Sequence, residues 1–436
     1  MSFHEPVVFP SGFLWGSATA SHQVEGDNRW NDWWMAEQRG LVPHRSGAAC
    51  RHYEMYEHDF DLARGAGQNA HRFSIEWSRV EPAPGVWDED AIAHYREVID
   101  ALRARGIEPV VTLHHFTLPT WVAERGGWAN RRTVRRFARY VSRMADALGD
   151  AVRYWVTINE PTVYVKHAYV VGDWPPCAVR AWWRAVRAFG HMARGHRAAR
   201  ARLRARWPHA QVGFAHSAPV IQPGDPSRLG DRTAAWLRDW VLNRAFFALL
   251  RRGERGEPPF DFIGLNYYTR AVVRGGGGGL IPFVGTECLA PRLEDRGVRS
   301  DLGWEVYPAG LGATLRRFAR YGVPLLVTEN GIATTDEELR ASFLCAHLEE
   351  LAGAVRDGVD VRGYFYWSLL DNFEWTQGTE ARFGLFHVDF DTQERRSRPA
   401  LDRYRAVCAA NRYPPDVPWI ADGSSSRPAV GGVSSA

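Results

Sequence analysis

Short apolar runs alternate with longer stretches of helical periodicity along the whole chain. Eight runs read as strands: Phe13–Ala18, Asn69–Ile75, Ile107–Leu113, Tyr154–Ile158, Gln211–His216, Phe262–Asn266, Pro324–Thr328 and Val361–Trp367. Between them lie helix-like stretches such as Asp88–Arg105, Arg131–Leu148, Ala178–Arg206, Arg232–Arg251, Ala309–Tyr321 and Asp336–Asp357. Alternating β and α elements imply an α/β fold with a parallel sheet. Eight of each predict a single (β/α)8 TIM barrel whose long βα loops form a pocket. An open doubly wound sheet is the competitor, but it would want Gly-x-Gly-x-x-Gly after an early strand, and that turn is absent. The barrel domain is expected over residues 1–420. Residues 421–436 are Gly, Ser, Pro and small residues without periodicity and read as a disordered tail.

Polar and aromatic groups collect at one end of nearly every strand. Glu76-Trp77-Ser78-Arg79 follows the second strand and His114-His115-Phe116 the third, while Asn159-Glu160 ends the fourth. Asn266-Tyr267-Tyr268 ends the sixth, Glu329-Asn330 the seventh and Trp367 the eighth, whose loop carries Glu374-Trp375. In a barrel, that end is one rimmed pocket. Two strand-end glutamates, Glu160 before Pro161 and Glu329 before Asn330-Gly331, have the chemistry for breaking glycosidic bonds. Retention needs a nucleophilic carboxylate and a carboxylic acid about 5 Å apart; about 6.5 Å or more implies inversion. The acid needs a raised pKa and the nucleophile a nearby cation, which Arg72 on the second strand can supply. For either glutamate alone, a helix cap or surface ion pair is the alternative.

Composition narrows the classes. Hydrophobic residues at 45% and charged residues at 24% suit a soluble globular protein. No apolar run approaches the roughly 18 residues of a membrane span. The N-terminus lacks a basic-then-apolar leader, so a cytoplasmic enzyme is expected. Five scattered cysteines form neither a zinc pattern nor a disulfide framework. The net charge is +4, and Lys166 is the only lysine, which points to a coding bias toward arginine rather than to a nucleic-acid surface. The basic segments Arg131–Arg143 and Arg180–Arg204 read as solvated faces of amphipathic helices. Gly275–Gly279 lacks the Lys-Ser/Thr of a phosphate loop and reads as a flexible surface loop. His114 and His115 have no third metal ligand at a convincing spacing.

From Phe9-Pro10-Ser11-Gly12-Phe13-Leu14-Trp15-Gly16 to about Tyr413 the chain resembles glycoside hydrolase family 1, the β-glucosidase family. The resemblance rests on Ala18-Thr19-Ala20-Ser21-His22-Gln23-Val24-Glu25-Gly26, Arg72-Phe73-Ser74-Ile75-Glu76-Trp77-Ser78-Arg79, Thr157-Ile158-Asn159-Glu160-Pro161, Thr328-Glu329-Asn330-Gly331 and Tyr366-Trp367-Ser368-Leu369-Leu370-Asp371-Asn372-Phe373-Glu374-Trp375. It implies Glu160 as acid/base and Glu329 as nucleophile, with Arg72, Asn266 and Tyr268 holding the nucleophile. It further implies that Gln23, His115, Asn159, Glu374 and Trp375 bind the terminal sugar, that Trp367 forms its floor and that Trp304 stands at the aglycone entrance. These types suit a sugar, whose hydroxyls take polar partners and whose C–H face takes an indole. His114 is expected to be structural.

The implied activity is that of a retaining exo-β-glycosidase acting on terminal non-reducing β-D-glucosyl, galactosyl or fucosyl residues through a glycosyl-enzyme intermediate. No metal or organic cofactor is implied. The expected partner is a small glycoside or oligosaccharide, with no nucleic acid and no membrane. Two departures stand out. His115-Phe116-Thr117-Leu118-Pro119 replaces the family's His-Trp-Asp-Leu-Pro, and Gly378-Thr379 replaces its Gly-Tyr. Glu374, where the phospho-sugar enzymes have serine, would repel a phosphate and favours an unphosphorylated sugar. The rival readings are a transglycosidase using the same intermediate and a non-catalytic carbohydrate-binding barrel.

Overall fold

The computed structural model describes residues 5–251, 258–276, 285–287 and 297–414. The expected disordered tail and Gly277–Gly279 of the glycine-rich stretch lie outside the described residues. Eight strands close into a barrel: β1 (Leu14–Ala18), β2 (Ala70–Ser74), β3 (Glu108–Thr112), β4 (Tyr154–Asn159), β5 (Gln211–Ser217), β6 (Phe262–Asn266), β7 (Leu325–Asn330) and β8 (Val361–Trp367). Neighbours in sequence are neighbours in the barrel, all parallel, and β8 returns to pair with β1. These are the eight predicted strands, with ends moved by a residue or two.

Period-two alternation sorts the strand side chains. Leu14, Ala70, Val110, Val156, Ala215, Phe262, Leu326 and Phe365, one from each of the eight strands, belong to one buried cluster that fills the lumen. The opposite faces meet the helices in a second, larger cluster. Arg72, two residues after Ala70, shares its lumen-facing parity and is only 1% exposed. A charged group so placed must find its partners inside the barrel.

Helices α1 (His52–Gly65), α2 (Glu89–Ala104), α3 (Arg132–Leu148), α4 (Trp182–Arg206), α5 (Ala245–Arg251), α6 (Ala309–Ala319), α7 (Glu337–Arg356) and α8 (Ala400–Ala410) follow the strands in turn. In α3, Phe137, Val141, Met144 and Leu148 recur at helical spacing and are all fully buried. Asp88 and Asp336 cap α2 and α7, accepting from the Ala91 and Leu339 amides at 2.9 Å. Two predicted helices differ. The stretch expected from Ala178 begins at Trp182, because Arg180 takes a left-handed backbone (φ 52°). The stretch Arg232–Arg251 is broken by a π turn at Trp240–Arg244 into Leu229–Asp239 and α5. Among the described residues no helix is long and apolar enough to cross a membrane.

The strand ends that carry the two glutamates are irregular. Register shifts fall between Val156 and Asn159 on β4 and between Val327 and Glu329 on β7. Such shifts re-aim the side chains beyond them. Glu160 itself has a left-handed backbone (φ 41°), an unfavourable state for a residue with a Cβ, and Pro161 starts a short helix immediately after it. Gly331 follows Asn330 because any Cβ there would overlap the Trp367 carbonyl of β8.

Candidate active site

A cavity of about 710 Å³ opens at the carboxyl end of the barrel strands. Its lining includes Gln23, His115, Asn159, Glu160, Asn266, Tyr268, Trp304, Glu329, Trp367, Glu374 and Trp375. Of the residues expected to act on or hold the substrate, only Arg72 is not at the cavity surface. It lies directly beneath, within hydrogen-bonding reach of Glu329.

Arg72 organises the floor. Its Nη1 donates to Glu329 Oε1 (2.6 Å) and to the Thr328 carbonyl (3.1 Å), its Nη2 to Asn159 Oδ1 (2.7 Å) and its Nε to Thr112 Oγ1 (3.1 Å). The Tyr268 hydroxyl donates to the other Glu329 oxygen at 2.6 Å. Both oxygens of Glu329 therefore accept short, charge-assisted or phenolic hydrogen bonds, which favour the carboxylate. Asn266 touches both glutamates. Its Nδ2 donates to Glu160 Oε1 (3.0 Å) and Asn159 Oδ1 (3.1 Å), while its Oδ1 accepts from Thr328 Oγ1 (2.6 Å). It thus bridges the two glutamates, and its hydrogen bond also favours the charged form of Glu329.

The electrostatics separate the pair. Burial pushes Glu160 up to about 8, and the charge of Glu329 adds to the rise, against weaker opposition from Asn266 and Arg72. Burial also raises Glu329, but Arg72 and Tyr268 act directly against it. The shared proton accordingly resides on Glu160. Burial and then the Glu329 charge push Glu374 up to about 8 as well. His115 is held well below the ordinary histidine range by burial, Arg72 and His114, so its ring is neutral.

Gln23 Nε2 donates to Glu374 Oε2 and to Asn372 Oδ1, each at 3.0 Å, which leaves Gln23 Oε1 buried without a partner. Asn159 Nδ2 faces His115 Nε2 at 3.3 Å, so the ring proton lies on Nδ1, also buried without a partner. These two atoms, one acceptor and one donor, are available to a polar ligand. His115 stacks parallel to the Trp367 indole, 5.8 Å between centroids and 16° between planes. Tyr268, Trp304 and Phe383 form an aromatic wall, with Trp304 38% exposed toward the mouth.

His114 is turned away from the cavity: its Nε2 accepts from Trp128 Nε1 at 3.0 Å, and burial lowers it to about 3. Among the described residues no group of three His, Cys, Asp or Glu side chains is arranged to hold a metal ion. Sequence reasoning missed Thr112, Thr328 and Asn372, which brace the ring from below, and Lys166, Trp174 and Arg270, which line its outer part. The first three occupy strand ends or a quoted motif, so their positions were a readable signal. For buried Trp174 and half-buried Arg270, nothing local in the sequence marks them as cavity residues.

Comparison with known proteins agrees with this geometry. The family model described as Glycosyl hydrolase family 1 matches residues 5–258 and 254–413. A β-galactosidase of Pyrococcus woesei is 34% identical over 93% of this chain and 98% of its own length. The solved β-glycosidase from Pyrococcus horikoshii is 42% identical, with a TM-score of 0.87 over 93% of this chain and 96% of that one. A family 1 β-glucosidase from Thermotoga maritima, solved in complex with isofagomine lactam, is 29% identical, with a TM-score of 0.87 over 94% of this chain and 100% of that one. With matches that span the barrel and its loops alike, the chain belongs to glycosyl hydrolase family 1 and is a glycoside hydrolase.

Proposed function

We propose that the protein is a retaining exo-β-glycosidase that releases terminal non-reducing β-D-glucosyl residues and accepts galactosyl and fucosyl residues. The observation that carries this reading is the division of labour between the two glutamates. Glu329 accepts from Arg72 and Tyr268, whereas Glu160 is pushed up to about 8. An ionised nucleophile beside a protonated acid is the ground state that double displacement requires.

In the first step Glu329 attacks the anomeric carbon, the glycosidic C–O bond breaks and the Glu160 proton passes to the leaving oxygen. The loss of negative charge on Glu329 lowers the pKa of Glu160, which then takes a proton from the attacking water. Water adds at the anomeric carbon, the ester bond to Glu329 breaks and both carboxyls return to their starting states. Gln23, His115, Asn159, Glu374 and Trp375 hold the sugar hydroxyls above Trp367. Trp304 faces the leaving group.

Glu329→Ala should abolish turnover, and azide should restore it as an α-glycosyl azide. A β-glycosyl azide from that variant would overturn the assignment of nucleophile. NMR of the first-formed sugar from the wild-type enzyme should show the β anomer; the α anomer would mean inversion. A transglycosidase would share every residue of this scheme, and product analysis with added alcohols separates the two.

A further inference from the structure

The chain has 54 Lys and Arg residues, and all but Lys166 are arginine. That one lysine lines the catalytic cavity. It follows Glu160 by six residues, where the short helix Pro161–Val165 widens into the π turn Lys166–Val171. Thr162, Val163, Lys166 and His167 all line the cavity, so the face that starts at the catalytic acid continues outward to the ammonium group. This direction is that of the leaving group, since Glu160 protonates the leaving oxygen.

Lys166 is half-buried, its backbone N–H caps the preceding turn, and its ammonium group has no hydrogen bond or ion pair among the described residues. Other polar groups of the outer cavity have partners of their own. His167 Nδ1 is paired with Asp173 at 2.9 Å and stacks on Trp174. Glu305 is engaged by Arg270 and Glu287 by Arg238, each at 2.6 Å, while Asp301 accepts from the Thr335 amide at 2.8 Å. Among the described residues, Glu305 and Glu287 are thus paired with arginines, and Asp301 is held by a backbone amide. Trp174 packs against Phe116 at 4.7 Å between centroids, and Trp174, Phe116 and Trp304 line the same cavity as Lys166, which gives it flat apolar wall surfaces.

We propose that Lys166 reads an anionic leaving group, and that the preferred substrates are β-glycosides of aromatic carboxylic acids. The aryl ring lies against the Phe116, Trp174 and Trp304 surfaces while its carboxylate meets the Lys166 ammonium. This inference rests on the β-glycosidase reading and deepens it. A cation in a partly desolvated site beside an anionic ligand gives selectivity chiefly by differential binding.

The test compares the β-glucoside of 4-hydroxybenzoate with that of its methyl ester, using kcat/KM for each. The ester is the internal reference, and 4-nitrophenyl β-glucoside reports separately on β-glucosidase activity. Wild-type enzyme should prefer the acid, and Lys166→Met should reduce the acid-to-ester ratio by about tenfold, the effect of one partly screened ion pair. Lys166→Glu should invert the ratio, and Lys166→Arg should keep most of it. In the wild type, added salt should weaken the preference. Because Lys166 is the only lysine, acetylation of the folded enzyme should lower the ratio without any substitution. A ratio unchanged by Lys166→Met and by acetylation would overturn the proposal, as would equal losses on acid and ester. Loss of 4-nitrophenyl β-glucoside hydrolysis in the wild type would instead overturn the underlying reading.

Discussion

Two ion pairs of equal length mark the inner and outer ends of the cavity. Arg72–Glu329 and Arg238–Glu287 both measure 2.6 Å. The inner pair is 1% and 5% exposed, whereas Glu287 in the outer pair is 57% exposed. Distance alone says they are alike. Burial makes the inner one an electrostatic device, because a charge without water must be balanced by named partners. Screening leaves the outer pair worth little. In the proposed mechanism the inner end carries the chemistry and the outer end meets the leaving group.

Substitutions at the two ends should diverge accordingly. The largest effect belongs to Glu329→Ala, for which kcat should fall by about 10⁵-fold, since in the proposed scheme the nucleophile acts with an acid and has no substitute. Tyr268→Phe removes one donor to the nucleophile and should lower kcat by about 10²- to 10³-fold, measured on a nitrophenyl glycoside. A fall below tenfold would show that Arg72 alone keeps Glu329 charged.

The pH profile sharpens the same contrast. In the proposed mechanism Glu160 must be protonated to act as the acid, and its pKa is raised to about 8, so activity should be full below that value and lost as pH rises through it. The corresponding requirement on Glu329 is the opposite. Its raised pKa means that activity is lost as pH falls, at values above the usual carboxylate range. Glu160→Gln, assayed on a substrate whose leaving group needs no proton, should abolish the alkaline limb of glycosylation. An alkaline limb that persisted would point to Glu374, which is also raised to about 8.

At the mouth, Trp304→Ala should raise KM by several-fold to about tenfold while changing kcat less, because it removes stacking area rather than a group that touches the reacting atoms. Glu287→Gln should change stability by less than about 1 kcal/mol by denaturant titration. A larger loss would mean that the outer pair is less screened than its exposure indicates.

Much of this molecule is visible in the order of its residues. The eight strands, and the placement of Glu160 and Glu329 at strand ends, follow from the periodicity of apolar positions, which is a local property. The helices α1 and α8 were not singled out. The break at Trp240–Arg244 also escaped notice, because a π turn leaves the apolar spacing nearly intact. His114 against His115 was separable by motif, and the structure turns the first toward Trp128 and the second toward the cavity.

What periodicity leaves open is which distant groups meet. Gln23 and Glu374 are 351 positions apart, and Arg72 and Glu329 are 257 apart. Barrel closure brings each pair within hydrogen-bonding distance. Register shifts at β4 and β7 and the left-handed backbone of Glu160 then set where the carboxylates aim, while desolvation in the closed cavity sets which one keeps the proton. The amino-acid order names the acids and the strands that carry them. Their unequal protonation, and the position of a solitary lysine on the leaving-group side, arise only when the chain closes, because electric fields and burial depend on neighbours in space and not on neighbours in sequence.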